Sequence, residues 1–184
     1  MDRILGLDIS TSCIGWCVLS AEDGSVVAAS AIVLKDIKCM FDKAHRTQEA
    51  LLSITEEYNV DTIIIEENLQ AFRPGFSSAK TLITLARFNG IVSWLSYKCA
   101  KVKPSFINVN HARKAVGLKI DRKSTLSTKE QVFEWTKKNG LQDFPWPMKT
   151  LKSGPRKGRV IFDDSCYDIS DAFVIAAAHV NNER

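Results

Sequence analysis

Acidic residues stand at three places where side chains could gather around a phosphate or a metal. Asp8 closes the apolar run ILGLDIS at residues 4–10, Glu66 and Glu67 follow DTIII, and Asp168 and Asp171 open DISDAFVIAAAH. Carboxylates without partners repel one another, and a divalent cation reverses that repulsion. Asp168 and Asp171 fall about 60° apart on one helix face. Side chains alternate along a strand, so only one of Glu66 and Glu67 can share a sheet face with Asp8. Four acids gathered in this way suit two divalent ions in an oxygen-only site, which favours Mg²⁺, with Mn²⁺ as its substitute. Two such ions activate a water and stabilise the leaving oxygen of a phosphodiester. Each acid also has an ordinary reading. Ser165 and Asp168 have capping-box spacing, and a strand end is a normal place for a solvated glutamate.

The elements that must position these acids are legible in outline. Residues 3–9, 13–20 and 25–34 read as three strands in an antiparallel meander, with Asp23-Gly24 turning between the last two. An amphipathic helix is expected over 36–58 and a strand over 61–66. A helix capped by Ser77 or Ser78 runs to about Cys99 with apolar side chains on more than one side, enough to cover a second subunit. Residues 105–109 suit a short strand, 111–117 a short helix, and 127–139 a helix opened by a Ser127/Glu130 capping box and ended by Gly140. Residues 140–164, rich in Pro, Gly, Lys and Arg, read as a long basic loop before a closing helix over 166–181. The expected fold class is α/β, organised as one domain over 1–184.

Charge is unevenly spread. Residues 98–159 hold 16 Lys/Arg against 4 Asp/Glu, a net +12 that leaves −8 for the rest of a chain whose total is +4. An acidic centre beside a basic surface suits an enzyme that holds a polyanion against metal-binding carboxylates. Lys114, Lys119, Arg122, Lys123 and Lys129 cluster around a helix start and loop, as phosphate contacts would. Five cysteines, an odd number without CxxC spacing, argue against a disulfide framework and a zinc site. With no apolar run of membrane-spanning length and no room for a signal peptide before the first strand, a cytoplasmic protein is expected. His179 lies about 12 Å along the helix from Asp171 and cannot share its metal.

Taken in order, these residues resemble the RuvC-type Holliday junction resolvases of the RNase H-like superfamily. The family's first acid, in a strand like I-L-G-I-D followed by G-x-x-V, matches Asp8 with Gly15 and Val18 in register, while Ser10 stands in place of the usual turn glycine. The glutamate ending a strand matches Glu66, and D-x-x-D-A-x-x-I-A matches Asp168, Asp171, Ala172, Ile175 and Ala176. Arg113-Lys114 and Lys129-Glu-Gln-Val are similar to the family's DNA-contacting segment, and the stretch from Ser78 to Gly90 to its dimer-interface helix. The resemblance implies an RNase H-like, mixed five-stranded sheet with three antiparallel strands followed by parallel ones. It further implies a homodimer that nicks four-way DNA junctions with metal held by Asp8, Glu66, Asp168 and Asp171, and no nucleotide cofactor. Where the family has an aromatic after the glutamate strand, Leu69 stands here, so Phe72 and Phe76, flanking Arg73, are the candidates for stacking on an unpaired base. Other classes stay open. A nuclease of this superfamily could act on flaps, duplex or RNA–DNA hybrids, and a DNA-binding module could keep only the scaffold. Asp8-Ile9-Ser10-Thr11 also resembles the first phosphate loop of actin-like ATPases, whose second lobe a chain of 184 residues cannot supply.

Overall fold

A computed structural model of the chain describes residues 2–67 and 79–182. Strands β1 (Arg3–Ile9), β2 (Cys13–Ser20) and β3 (Val26–Val33) form the expected meander, followed by helix α1 (Met40–Tyr58) and strand β4 (Thr62–Glu66). Helix α2 (Ala79–Ala100), strand β5 (Ser105–Ile107) and helices α3 (Val109–Ala115) and α4 (Thr128–Asn139) follow. The chain then forms strands β6 (Met148–Thr150) and β7 (Val160–Phe162) before helix α5 (Ser165–Asn182). The main sheet has five strands in the order β3-β2-β1-β4-β5. β1 pairs antiparallel with β2, and β2 with β3, while β4 runs parallel to both β1 and β5.

Strand alternation divides the core into two layers. Leu5, Leu7, Ile9, Ile14, Val18, Ile63 and Ile65 point to one face and pack with Leu51 and Ile54 of α1 and Phe88 and Val92 of α2. Ile4, Cys17, Leu19 and Ile64 point to the other and pack with α5, from Ile169 to Val180. α5 is apolar nearly all round because α3 and α4 cover its outer side, through Ala112, Val132 and Trp135. α5 lies close on the sheet because two positions beneath it are glycine. A Cβ at Gly6 would meet the Ala172 carbonyl oxygen at 2.4 Å, and one at Gly15 would meet that of Asp168 at 2.0 Å.

Two expectations change. Residues 140–164 do not form an open loop, because β6 and β7 pair antiparallel, Met148 opposite Phe162 and Thr150 opposite Val160. The strands are three residues long and bounded by prolines and glycines, so turn signals dominate their sequence pattern. The start of α5 differs too. Ser165 lies inside the helix, and its N–H donates to the Asp163 carboxylate at 3.0 Å. Asp163 therefore caps the helix, and Asp168 is released from the capping-box role its spacing allowed. The Ser127/Glu130 box does form. The Ser77 or Ser78 cap, Leu69, Phe72, Arg73 and Phe76 lie outside the described residues. No described helix is long and apolar enough to cross a membrane.

Candidate active site

β1 carries Asp8 on the α5 face because it follows Ile4 and Gly6 at two-residue steps. β4 runs parallel with Gly6 opposite Ile64, so Glu66 emerges on that same face beside Asp8. The first turns of α5, held down over Gly15, add Asp168 and Asp171. All four acids line one cleft of about 290 Å³ together with Ser10, Glu67, Asn89, Arg113 and Lys129. Asp8, Glu66 and Asp168 are half-buried, while Asp171 is 8% exposed.

Burial is the largest cause of the raised pKa of each of the four acids. Asp8 is lifted furthest in kind, because Glu66, Asp171 and Asp168 all repel its charge in addition. Glu66 is offset by a hydrogen bond with Asp8 and by Arg113 and Lys129. A hydrogen bond from the Cys13 thiol and the charge of Lys129 temper Asp168, and Arg113 tempers Asp171. Arg113 Nη2 donates to Asp171 Oδ1 at 3.2 Å, and its Nε is buried with no hydrogen-bond partner among the described residues. Mutual repulsion in a low-dielectric cleft is the electrostatic situation that a divalent cation relieves. The donors are carboxylate oxygens, which fit a hard cation. Among the described residues no three His, Cys, Asp or Glu side chains are drawn onto a single metal-holding point.

The structure separates the basic residues expected at DNA. Lys129, on the first turn of α4, faces the acids across the cleft. Arg113 turns inward to Asp171, whereas Lys114, Lys119, Arg122 and Lys123 are exposed. The reason is α3 itself, whose buried Ala112 docks on α5 and carries the neighbouring Arg113 in with it. Three residues have parts in the site that the sequence did not assign to them. Asn89, only 4% exposed on α2, donates from Nδ2 to the Glu66 carbonyl at 3.4 Å. Cys13 supplies the thiol beside Asp168, which with burial raises the thiol's own pKa. Gly15 admits α5. The visible signal for Asn89 was one amide within an apolar helix, and for Gly15 its even spacing from the other inward residues of β2.

A mixed five-stranded sheet whose central strands converge their acids beneath one helix defines an RNase H-like fold. No model of a known protein family matches the sequence. Crossover junction endodeoxyribonuclease RuvC of Ehrlichia ruminantium, in strains Gardel and Welgevonden, is 27% identical over 121 residues, which is 61% of this chain and 76% of the relative. A structure of Thermus thermophilus RuvC in complex with a Holliday junction substrate superposes with a TM-score of 0.66 at 16% identity, covering 100% of this chain and 96% of that one. The yeast mitochondrial Holliday junction resolvase superposes with a TM-score of 0.54 at 16% identity, covering 98% and 78%. The chain is similar in sequence to these RuvC relatives over part of its length and shares the fold of the solved RuvC structure.

Proposed function

We propose that this chain is a Holliday junction resolvase, a metal-dependent endodeoxyribonuclease that nicks four-way DNA junctions. The observation that carries the reading is the cleft in which Asp8, Glu66, Asp168 and Asp171 face Arg113 and Lys129. The four acids hold divalent metal, two Mg²⁺ per site with Mn²⁺ able to substitute. When bound, the metal supplies Lewis-acid stabilisation of the phosphodiester and an activated water. Arg113 and Lys129, which line the cleft, hold the scissile phosphate against the acids. Asn89 keeps the end of β4, and with it Glu66, in register with Asp8. Exposed Lys114, Lys119, Arg122 and Lys123 hold arm phosphates, and Phe72, Arg73 and Phe76 meet the branch point.

A homodimer supplies the paired nicks. Along α2, Ile83, Trp94 and Tyr97 are 53%, 61% and 37% exposed, and Gly90 between them has open space around it, so one helix face offers apolar surface to a second copy. Residues 1–184 act as one nuclease domain, and thiols left free fit the cytoplasm. The test offers labelled four-way junction, flap and duplex DNA with and without Mg²⁺. Symmetric nicks confined to the junction are expected, and cutting of duplex at the same rate would mean a general nuclease. Asp8→Asn should lower cleavage by about 1,000-fold or more, the loss of several kcal/mol of transition-state stabilisation, while junction binding persists.

A further inference from the structure

The cleft accounts for only part of this chain's positive charge. Residues 148–162, MKTLKSGPRKGRVIF, carry Lys149, Lys152, Arg156, Lys157 and Arg159 and no Asp or Glu. They form the β6–β7 hairpin. Lys149 is tied to its base by Asp164 and by Asp163 at 4.0 Å. The other four cations are exposed at the tip and form no ion pair among the described residues.

The tip is built rather than loose. The Leu151 N–H donates to the Arg159 carbonyl at 2.9 Å, the Gly158 N–H to the Leu151 carbonyl at 2.8 Å, and the Lys157 N–H to the Gly154 carbonyl at 3.0 Å. Gly154 and Gly158 take φ of 79° and 85°, a region that favours glycine. The base is equally fixed. Phe162 packs edge-on against Phe133 of α4 with ring centroids 5.0 Å apart, and the Asp163 N–H and the Cys166 thiol both donate to the Pro147 carbonyl, at 2.9 and 3.3 Å. Asp163 in turn caps α5. The hairpin therefore continues directly into the helix that carries Asp168.

Clustered like charges with no acid to offset them repel one another in the free protein and are stabilised against a polyanion. We propose that the β6–β7 hairpin is a DNA-backbone clamp, in which Lys152, Arg156, Lys157 and Arg159 hold the phosphates of a duplex arm leaving the cleft. The base of the hairpin is fixed to the start of α5, the helix that carries Asp168 and Asp171, so the hairpin is held by the same element as the cleft's acids. The contacts are to phosphates, so they are independent of base sequence. The choice of DNA as the polyanion rests on the nuclease reading of the cleft.

The test compares the full chain with a variant neutralised at all four positions (Lys152→Gln, Arg156→Gln, Lys157→Gln, Arg159→Gln). A second variant exchanges Lys and Arg at those sites, and a third carries only Arg156→Gln and Lys157→Gln. Binding to four-way junction, duplex and single-stranded DNA of equal length is titrated in EDTA at graded salt. Losing about four phosphate contacts should reduce the slope of log affinity against log salt by about 3 and weaken binding at least ~10-fold at ~100 mM salt, alike on junction and duplex. The paired variant should lose about half as much, and the charge-retaining variant nothing. Unchanged slope and affinity in the neutralised variants would overturn the clamp, as would a loss confined to single strands or an equal loss in the charge-retaining variant. Equal parental affinity for junction and duplex would overturn junction selectivity and leave the clamp standing. A parent that binds none of the three DNAs would overturn both.

Discussion

The two faces of the central sheet solve opposite problems. Toward α1 and α2 the sheet presents branched and long side chains, Leu5, Leu7, Ile63 and Ile65 among them, which fill a thick apolar layer. Toward α5 it presents Gly6, opposed by Ala172 and Ala176, and Gly15, opposed by the backbone of Asp168 and Ile169. One face gains stability from volume, while the other gives volume up so that helix and sheet backbones approach. That approach sets Asp168 and Asp171 beside Asp8 and Glu66, where burial raises all four pKa values and repulsion from neighbouring acids adds to it at Asp8, Glu66 and Asp168. The comparison shows that stability and site geometry are drawn from different sides of the same strands, so each side can be disturbed separately.

The largest expected effect lies on the thick face. Leu7 is fully buried, and Leu7→Ala should lower unfolding free energy by about 2–5 kcal/mol through lost transfer energy and a residual cavity. Nicking per folded molecule should stay near the parental rate, because Leu7 points away from the acids. A matching fall in nicking by folded protein would break the separation. On the thin face, Gly15→Ala puts a methyl 2.0 Å from the Asp168 carbonyl oxygen, and α5 must lift. The expected cost is about 1–3 kcal/mol of stability. Nicking should fall about 100-fold, the scale of a displacement near 1 Å at a reacting centre. Urea denaturation and single-turnover nicking, run on both variants, distinguish the two faces.

Protonation sharpens the contrast. Asp8 has a folded pKa raised first by burial and then by Glu66, Asp171 and Asp168. Without metal the folded chain therefore binds more protons than the unfolded chain across the interval between the ordinary carboxylate pKa and the raised one. Stability is fully present below that interval and falls as pH rises through it. Urea midpoints measured in EDTA from about pH 4 to 8 should decline with pH. Asp8→Asn should flatten the decline, and added Mg²⁺ should oppose it in the parent and not in the variant. Leu7→Ala should lower the whole curve without changing its slope.

The thick face was readable from the sequence because its apolar residues come in recognisable patterns. Short continuous apolar runs in β1 and β4, with helical spacing in α1, pointed to the strands and to the α/β class. The acids were readable as candidates because a charge at the end of an apolar strand is conspicuous, and parity then selects Glu66 over Glu67. The thin face was harder. Gly6 and Gly15 have no side chain to register in a periodicity count, so their use in admitting α5 appears only when the helix is in place. Arg113 was placed with Lys114 in a DNA-contacting segment by resemblance alone, and its inward turn to Asp171 appears only with the docking of Ala112. The β6–β7 pairing was masked by the turn residues that close it.

The smallest expected effect tests whether the turn between β1 and β2 belongs to the site or merely borders it. Ser10 stands where the RuvC-type turn has glycine, and it lines the cleft. Its hydroxyl accepts from the Cys13 and Ser12 N–H groups at 3.0 and 3.3 Å and donates to the Cys13 carbonyl at 2.8 Å. These bonds hold the start of β2, from which Cys13 reaches Asp168 and Gly15 admits α5. Ser10→Ala removes the hydroxyl and leaves the backbone conformation accessible, so it should cost about 1 kcal/mol and reduce nicking less than Gly15→Ala does. Ser10→Gly loses the same bonds and adds backbone freedom, so it should fall between the two in stability. If Ser10→Ala matched Gly15→Ala in nicking, the turn and not the helix-to-sheet distance would be setting the positions of the acids.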